Sequence, residues 1–178
     1  MKVSRNYQYL NFAANILVVA VGALLIGLLA YRAFFQPSLG SLEAELLRTG
    51  DNFKGLQEID FKKTPNTILL AIDIKCQYCL QSLPFYKKLI AKSKESPNVQ
   101  VIAVFSNKSE EVEQYLREHD VDTEFIPNVD LVKLKVDATP TVIWVDANRK
   151  IVGSYQGILQ EKQESAFFEV YEKRLFSR

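Results

Sequence analysis

The stretch AIDIKCQYCLQSLPFY, Ala71 to Tyr86, holds both cysteines of the chain, Cys76 and Cys79, with two residues between them. The apolar run TILLAI (Thr67–Ile72) leads into it, bounded by Pro65-Asn66. Such a run reads as a strand buried on both faces, as in a parallel sheet. Beyond the cysteines, Leu83, Tyr86, Leu89 and Ile90 share one side of a helix predicted for Leu80–Lys92. The cysteines therefore stand where a strand passes into the first turn of a helix. Unpaired N–H groups and the helix dipole favour negative charge there, which lowers the pKa of a thiol. Cys76 is expected at the exposed end as the nucleophile. Cys79 is expected one turn deeper, where it can attack a mixed disulfide formed on Cys76. Lys75 adds positive charge beside Cys76, and Asp73 partly opposes it.

Other uses of two cysteines compete with this one. Tetrahedral zinc needs four ligands, and the chain offers two cysteines and one distant histidine, His119. A static disulfide across so short a loop would constrain little of the unfolded chain. A copper site would need Cys76, Cys79 and His119 together. Redox use is the reading that also explains why these are the chain's two cysteines.

Downstream, VQVIAVF (Val99–Phe105) reads as a second buried strand. Ser109 is expected to cap the helix EEVEQYLREHD, with Val112, Tyr115, Leu116 and His119 on its inner stripe. That stripe makes His119 a packing residue. TEFIPNV (Thr123–Val129) reads as a short strand. TVIWV (Thr141–Val145) and Lys150–Tyr155 read as strands joined by the turn Asp146–Arg149, with Trp144 in the core. The final helix, Glu161–Phe176, buries Phe167, Phe168, Tyr171 and Leu175. Strands alternating with helices imply parallel crossovers, and the closing hairpin adds antiparallel edge strands. The fold class is α/β: a mixed sheet with helices on both faces.

The N-terminal 40 residues differ in character. FAANILVVAVGALLIGLLAY (Phe12–Tyr31) carries no charge. Roughly 20 apolar residues suffice for a helix to cross a bilayer core. Aromatic residues flank both ends: Tyr7 and Tyr9 before, Phe34 and Phe35 after. The core is longer than that of a cleaved signal peptide, and YRAFFQP after it offers no good cleavage site. The expected organisation is a cytoplasmic N-terminus (1–11), a transmembrane anchor (12–31) in contact with the lipid bilayer, a linker with a short helix over Leu42–Thr49 (32–48), and a domain (49–178). The N-terminal charges, Lys2, Arg5 and the free amine, favour a cytoplasmic start, which leaves the domain extracytoplasmic at the cell membrane. A brief strand is expected near Leu56–Phe61. With a net charge of +1 and mixed charge signs, the chain has no basic stripe, so nucleic acid is not an expected partner.

Three features together resemble the thioredoxin-like family: Cys76-Gln77-Tyr78-Cys79 at a strand-to-helix junction, Pro84 five residues after the second cysteine, and Ala138-Thr139-Pro140-Thr141 before the hairpin. The long connection from Ser106 to Val136 and the apolar N-terminal segment are similar to the TlpA/ResA-like branch of membrane-anchored thiol-disulfide oxidoreductases. The resemblance implies a kink in the helix at Pro84 and a cis Pro140 beside the cysteines. It implies that Thr139 offers its backbone to an incoming peptide or thiol, with Pro140, Tyr78 and Lys75 also facing substrate. It implies no cofactor beyond a redox-active disulfide, Cys76–Cys79. The implied partners are protein thiols and disulfides, including cytochrome c apoproteins, and a membrane thiol electron transporter. It tilts the direction towards reduction. The chain departs from the pattern in having Lys75 where tryptophan is usual. Leu70 and Ser82 stand at the two positions where the family places a carboxylate. A non-catalytic interaction module of the same fold, and a thiol metallochaperone, are the competing readings.

Overall fold

In the computed structural model, residues 16–24 and 47–176 are described, and the chain divides into two units, Met1–Glu43 and Ala44–Arg178. In the first unit, residues 16–24 are helical. The rest of the anchor predicted for 12–31, the segment 1–11 and most of the linker lie outside the described residues. Of the helix predicted for Leu42–Thr49, residues 47–49 are described and are not helical. Among the described residues, no helix is long and apolar enough to cross a membrane.

The second unit is built on a five-stranded sheet in the order β3-β2-β1-β4-β5. Its strands are β1 (Asn66–Ile72), β2 (Val99–Phe105), β3 (Glu124–Ile126), β4 (Thr141–Asp146) and β5 (Ile151–Gln156). β1, β2 and β3 run parallel, and β4 and β5 are antiparallel to their neighbours. The helices are α1 (Gln77–Gln81), α2 (Leu83–Lys94), α3 (Ser109–Glu118) and α4 (Glu161–Phe176), with a 3-10 turn at Val132–Leu134.

Handedness decides where everything lies. From β1 to β2 to β3 the chain steps across the sheet in one direction, so right-handed crossovers put α1, α2 and α3 on the same face. The return from β3 to β4 runs the other way and covers the opposite face. Side-chain alternation divides the strands accordingly. Ile68, Leu70, Ile72, Val101, Ala103, Phe105, Val142 and Trp144 pack with the helices. Leu69, Ala71, Ile102, Val104, Ile143 and Val145 pack beneath the segment Phe53–Phe61 and the connection Val129–Val136. All seven residues of β1 are buried, as its continuous apolar run requires. The expectation of helices on both faces is thus corrected. Among the described residues of the domain, the α-helices occupy one face, and loops with a single 3-10 turn occupy the other.

The strand expected near Leu56–Phe61 is also absent. Gly55 and Leu56 both have positive φ, +128° and 51°, and the Ile59 N–H closes a turn on the Leu56 carbonyl. The apolar residues there are buried as a turn lid rather than a ladder. Only Asn52 forms a bridge in this region, with Lys150. At α3 the cap is Lys108, not Ser109: the Glu111 carboxylate accepts from the Lys108 N–H at 3.2 Å. That helix ends at Glu118, and His119 sits half-buried with its ring 4.6 Å from that of Tyr115.

Candidate functional site

The site forms at the C-terminal end of β1. Ile72, its last residue, pairs with Phe105 at the end of β2. Between them the chain must turn sharply into α1, and the turn is tied down from two sides. The Ile74 N–H donates to Asn107 Oδ1 at 3.2 Å. The Asp73 carboxylate accepts from the Lys75 N–H at 2.7 Å and from the Ser106 hydroxyl at 3.2 Å. The Cys76 N–H closes on the Asp73 carbonyl at 3.0 Å. These bonds satisfy the polar backbone of a tight loop and fix where Cys76 emerges.

Cys76 is the N-cap of α1. Its sulfur accepts from the Cys79 N–H at 3.3 Å, a role usually filled by a serine or aspartate oxygen. Its thiol also reaches the Thr139 carbonyl at 3.2 Å. Both cysteines are free thiols; Cys76 is part-exposed and Cys79 fully buried. The Thr139-Pro140 peptide is cis, and Pro140 is buried against this junction. Thr141 Oγ1 donates to the Ala138 carbonyl, and the Gly157 N–H to that of Pro140, so the loop is held at both ends.

The two sulfurs are driven apart in acidity. Burial alone would raise the Cys76 thiol. Hydrogen bonds from the Thr139 side chain, from the Cys79 thiol and from the Cys79 and Tyr78 backbone outweigh it and hold Cys76 below the ordinary value. Cys79 goes the other way, pushed up to about 12 mainly by burial, and further by its hydrogen bond to Cys76 and by negative charge there. Of the two, the part-exposed Cys76 sulfur therefore gives up its proton first, while the buried Cys79 keeps its own at neutral pH. Lys75 is exposed and is not among the groups that lower Cys76. The favourable environment is made by hydrogen bonds rather than by the expected neighbouring charge.

α1 is short. It ends at Ser82, whose hydroxyl donates back to the Tyr78 carbonyl at 3.0 Å, and α2 starts afresh with Pro84 in its first turn. The single helix predicted for Leu80–Lys92 is thus two, because proline has no N–H to continue the ladder from the preceding turn. Tyr78 is 61% exposed and Leu80 39% exposed beside Cys76, while Phe85 and Tyr86 are buried in the core. The residues singled out in the sequence, Cys76, Cys79, Thr139 and Pro140, meet in one place. Lys75 and Tyr78 flank them on the surface. Sequence reasoning missed Ser106 and Asn107, which tie down the turn before Cys76. Their proximity to the cysteines follows from the β2–α3 connection, which no local spacing reveals.

With this geometry in hand, solved structures of similar shape can be compared. A protein assigned as a thiol:disulfide interchange protein DsbE from Chlorobium tepidum aligns over 72% of this chain and 99% of its own, with a TM-score of 0.61 and 22% identity. A thiol-disulfide isomerase from Corynebacterium glutamicum aligns over 76% and 98%, with a TM-score of 0.56 and 17% identity. StoA from Bacillus subtilis aligns over 68% and 95%, with a TM-score of 0.51 and 16% identity. The chain has a thioredoxin-like fold. No protein-family model matches it, and no curated protein sequence matches it. Leu70 and Ser82, which stand where the resembled family places a carboxylate, are both buried. Among the described residues, no group of three or more histidine, cysteine, aspartate and glutamate side chains gathers to hold a metal.

Proposed function

We propose that the domain is a thiol-disulfide oxidoreductase that exchanges disulfides with partner proteins. The observation that carries this is the pairing of Cys76, part-exposed and lowered in pKa as the cap of α1, with Cys79, buried and protonated one turn away. The Cys76 thiolate attacks a disulfide of the partner, forming a mixed disulfide and releasing one partner thiol. Cys79 then attacks the Cys76 sulfur, forming Cys76–Cys79 and releasing the second partner thiol with the proton from Cys79. The partner is reduced by two electrons and the domain oxidised by two. The Thr139-Pro140 loop lies against the reacting sulfur, and its backbone is placed to pair with an extended partner segment. Tyr78 and Leu80 provide an apolar rim.

The finer reading is a domain tethered by residues 12–31 on the outer side of the cell membrane and acting as a reductant. The charge-free apolar sequence of that segment supports the tether. The chain has no nicotinamide or flavin motif, so a membrane thiol transporter is the proposed electron source, and exported thiol proteins such as cytochrome c apoproteins are the proposed substrates.

The test uses the full chain with a disulfide-bonded protein substrate. Cys76→Ser is expected to abolish turnover. Cys79→Ser is expected to trap a mixed disulfide, seen as a gel shift that reductant reverses. Full turnover by Cys76→Ser would end the proposal.

A further inference from the structure

Between β1 and α1 lies the turn Asp73-Ile74-Lys75-Cys76, and the backbone N–H groups of its last three residues are all partnered. The Cys76 N–H reaches the Asp73 carbonyl at 3.0 Å, the Ile74 N–H reaches Asn107 Oδ1 at 3.2 Å, and the Lys75 N–H reaches Asp73 Oδ1 at 2.7 Å. Asp73 supplies two of these three acceptors. Its other carboxylate oxygen, Oδ2, accepts from the Ser106 hydroxyl at 3.2 Å, on the connection from β2 to α3. One half-buried side chain thus closes the turn from within and ties it to the exit of the neighbouring strand. Aspartate suits the first position of such a turn because its short side chain reaches the N–H two residues on.

Sequence alone sets Asp73 against the Cys76 thiolate, as a negative charge close by in the chain. The hydrogen bonds reverse that expectation. Both carboxylate oxygens are taken up by donors of the turn and of Ser106, and Asp73 is not among the groups that shift Cys76. What Cys76 needs is placement. Its sulfur caps α1 with the Cys79 N–H 3.3 Å away, and its thiol meets the Thr139 carbonyl at 3.2 Å. Both contacts weaken steeply if the residue that bears the sulfur drifts. We propose that Asp73 is a positioning residue that promotes attack by Cys76: its carboxylate, held by Ser106, locks the turn on which the sulfur becomes the cap of α1, and this outweighs the repulsion from its charge. The proposal rests on the reading of Cys76 as the attacking thiol. The other charged or titratable side chains on the elements around Cys76 are Lys75 on the turn, Tyr78 and Cys79 on α1, Lys108 after Asn107 and Asp137 before the cis-proline loop. Tyr86 on α2 and Tyr115 on α3 feel charge on Cys76 and titrate only above the ordinary phenol range. Cys79 is the one ionisable side chain of this set that enters the balance on the Cys76 thiol, and it titrates near 12.

The experiment alkylates the reduced full chain with iodoacetamide across a pH series and reads modification of Cys76 by mass spectrometry. Asp73→Ala should slow the reaction at neutral pH by about fivefold, the size expected for the loss of one hydrogen bond, and should move its pH midpoint upward. Asp73→Asn keeps an oxygen for the Lys75 N–H and turns its amide to the Ser106 hydroxyl. It should therefore stay within about twofold of the unaltered chain, with the midpoint unmoved. A carboxylate acting through its charge predicts the reverse: both variants react faster and both midpoints fall. That result overturns the proposal, as does an unchanged Asp73→Ala or an Asp73→Asn that matches it. Should Asp73→Ala fail to fold, Ser106→Ala takes its place. An upward midpoint there, beside an unmoved one in Asp73→Asn, upholds the proposal, and any other pattern overturns it. Absence of disulfide exchange by the unaltered chain would instead defeat the redox reading itself, whatever the alkylation shows.

Discussion

The two faces of the sheet are both apolar and both covered, yet by different means. On one face the helices α2, α3 and α4 deliver a run of aromatic rings. Phe167 alone lies within ring contact of Phe85, Trp144, Tyr155, Phe168 and Tyr171. On the other face, Phe53, Leu56, Ile59 and Phe61 are brought down by a chain with no ladder of its own. Its shape is set by positive-φ residues and by Arg149, which lies 4.4 Å over the Phe61 ring and donates to the Phe53 and Gly55 carbonyls. The helix face takes its stability from regular packing, the loop face from a few special backbone positions. The two cysteine sulfurs belong to the first.

If that contrast is right, the deepest damage comes from the helix face. Phe167→Ala is expected to cost about 3–5 kcal/mol in equilibrium urea unfolding, because several rings lose their common neighbour. A loss under about 1 kcal/mol would mean the ring cluster is loosely packed. The next effect is alkaline. Cys79, Tyr115 and Tyr171 have pKa values raised to about 12, and all lie on the helix face. Each is protonated in the folded chain while the unfolded chain has already lost its proton, so the folded chain binds more protons and stability falls as pH rises. For Cys79 the contribution is whole below its ordinary value of 9.0 and is lost towards about 12. The reduced chain should therefore lose stability from about pH 9 upward, and Cys79→Ala should flatten the earliest part of that decline. A decline no flatter in Cys79→Ala would refute the thiol's share.

Loop-face changes should be smaller. Gly55→Ala puts a methyl group into Leu134 at a φ of +128°, and about 1–3 kcal/mol is expected from the strain and overlap. Smallest is Asn107→Ala. It leaves the Ile74 N–H without its side-chain acceptor, at about 1–2 kcal/mol. Yet it lies where the two faces meet, since the Asn107 carbonyl also accepts from Asn128 at 2.9 Å. Its effect on the alkylation rate of Cys76 should thus exceed its modest effect on stability. Unchanged alkylation would separate the loop's order from the reactivity of the thiol.

The same contrast explains what the sequence reveals. β1, β2 and β4 are legible because a strand buried on both faces must read as an unbroken apolar run, as in TILLAI and VQVIAVF. Cys76 and Cys79 are legible because cysteine is rare in the chain and their spacing is local, whereas the place of Pro140 beside them comes from the family resemblance. The loop face is not. Phe53, Leu56, Ile59 and Phe61 follow neither a twofold nor a helical period, and their burial depends on Gly55 and Leu56 adopting left-handed backbone. The placement of helices on two faces fails for a related reason. Periodicity identifies a helix but not the direction of the crossover that contains it, and only the strand order, with β3 beyond β2, puts α3 beside α2. Tyr115 is visible from the sequence as a core residue.

One further property follows from how the chain enters the domain. Before reaching β1 it is laced to the outer edge of the hairpin: Gly50 donates to Ile151, Ile151 to Asp51, and Phe53 to Arg149, at 2.7–2.8 Å. A pull applied upstream of residue 47 would be met there, by bonds running along the β5 edge, before it could extend Lys54–Pro65 or disturb the turn at Asp73. Tension on the leading segment would load these three hydrogen bonds before it loaded the turn that carries the two sulfurs.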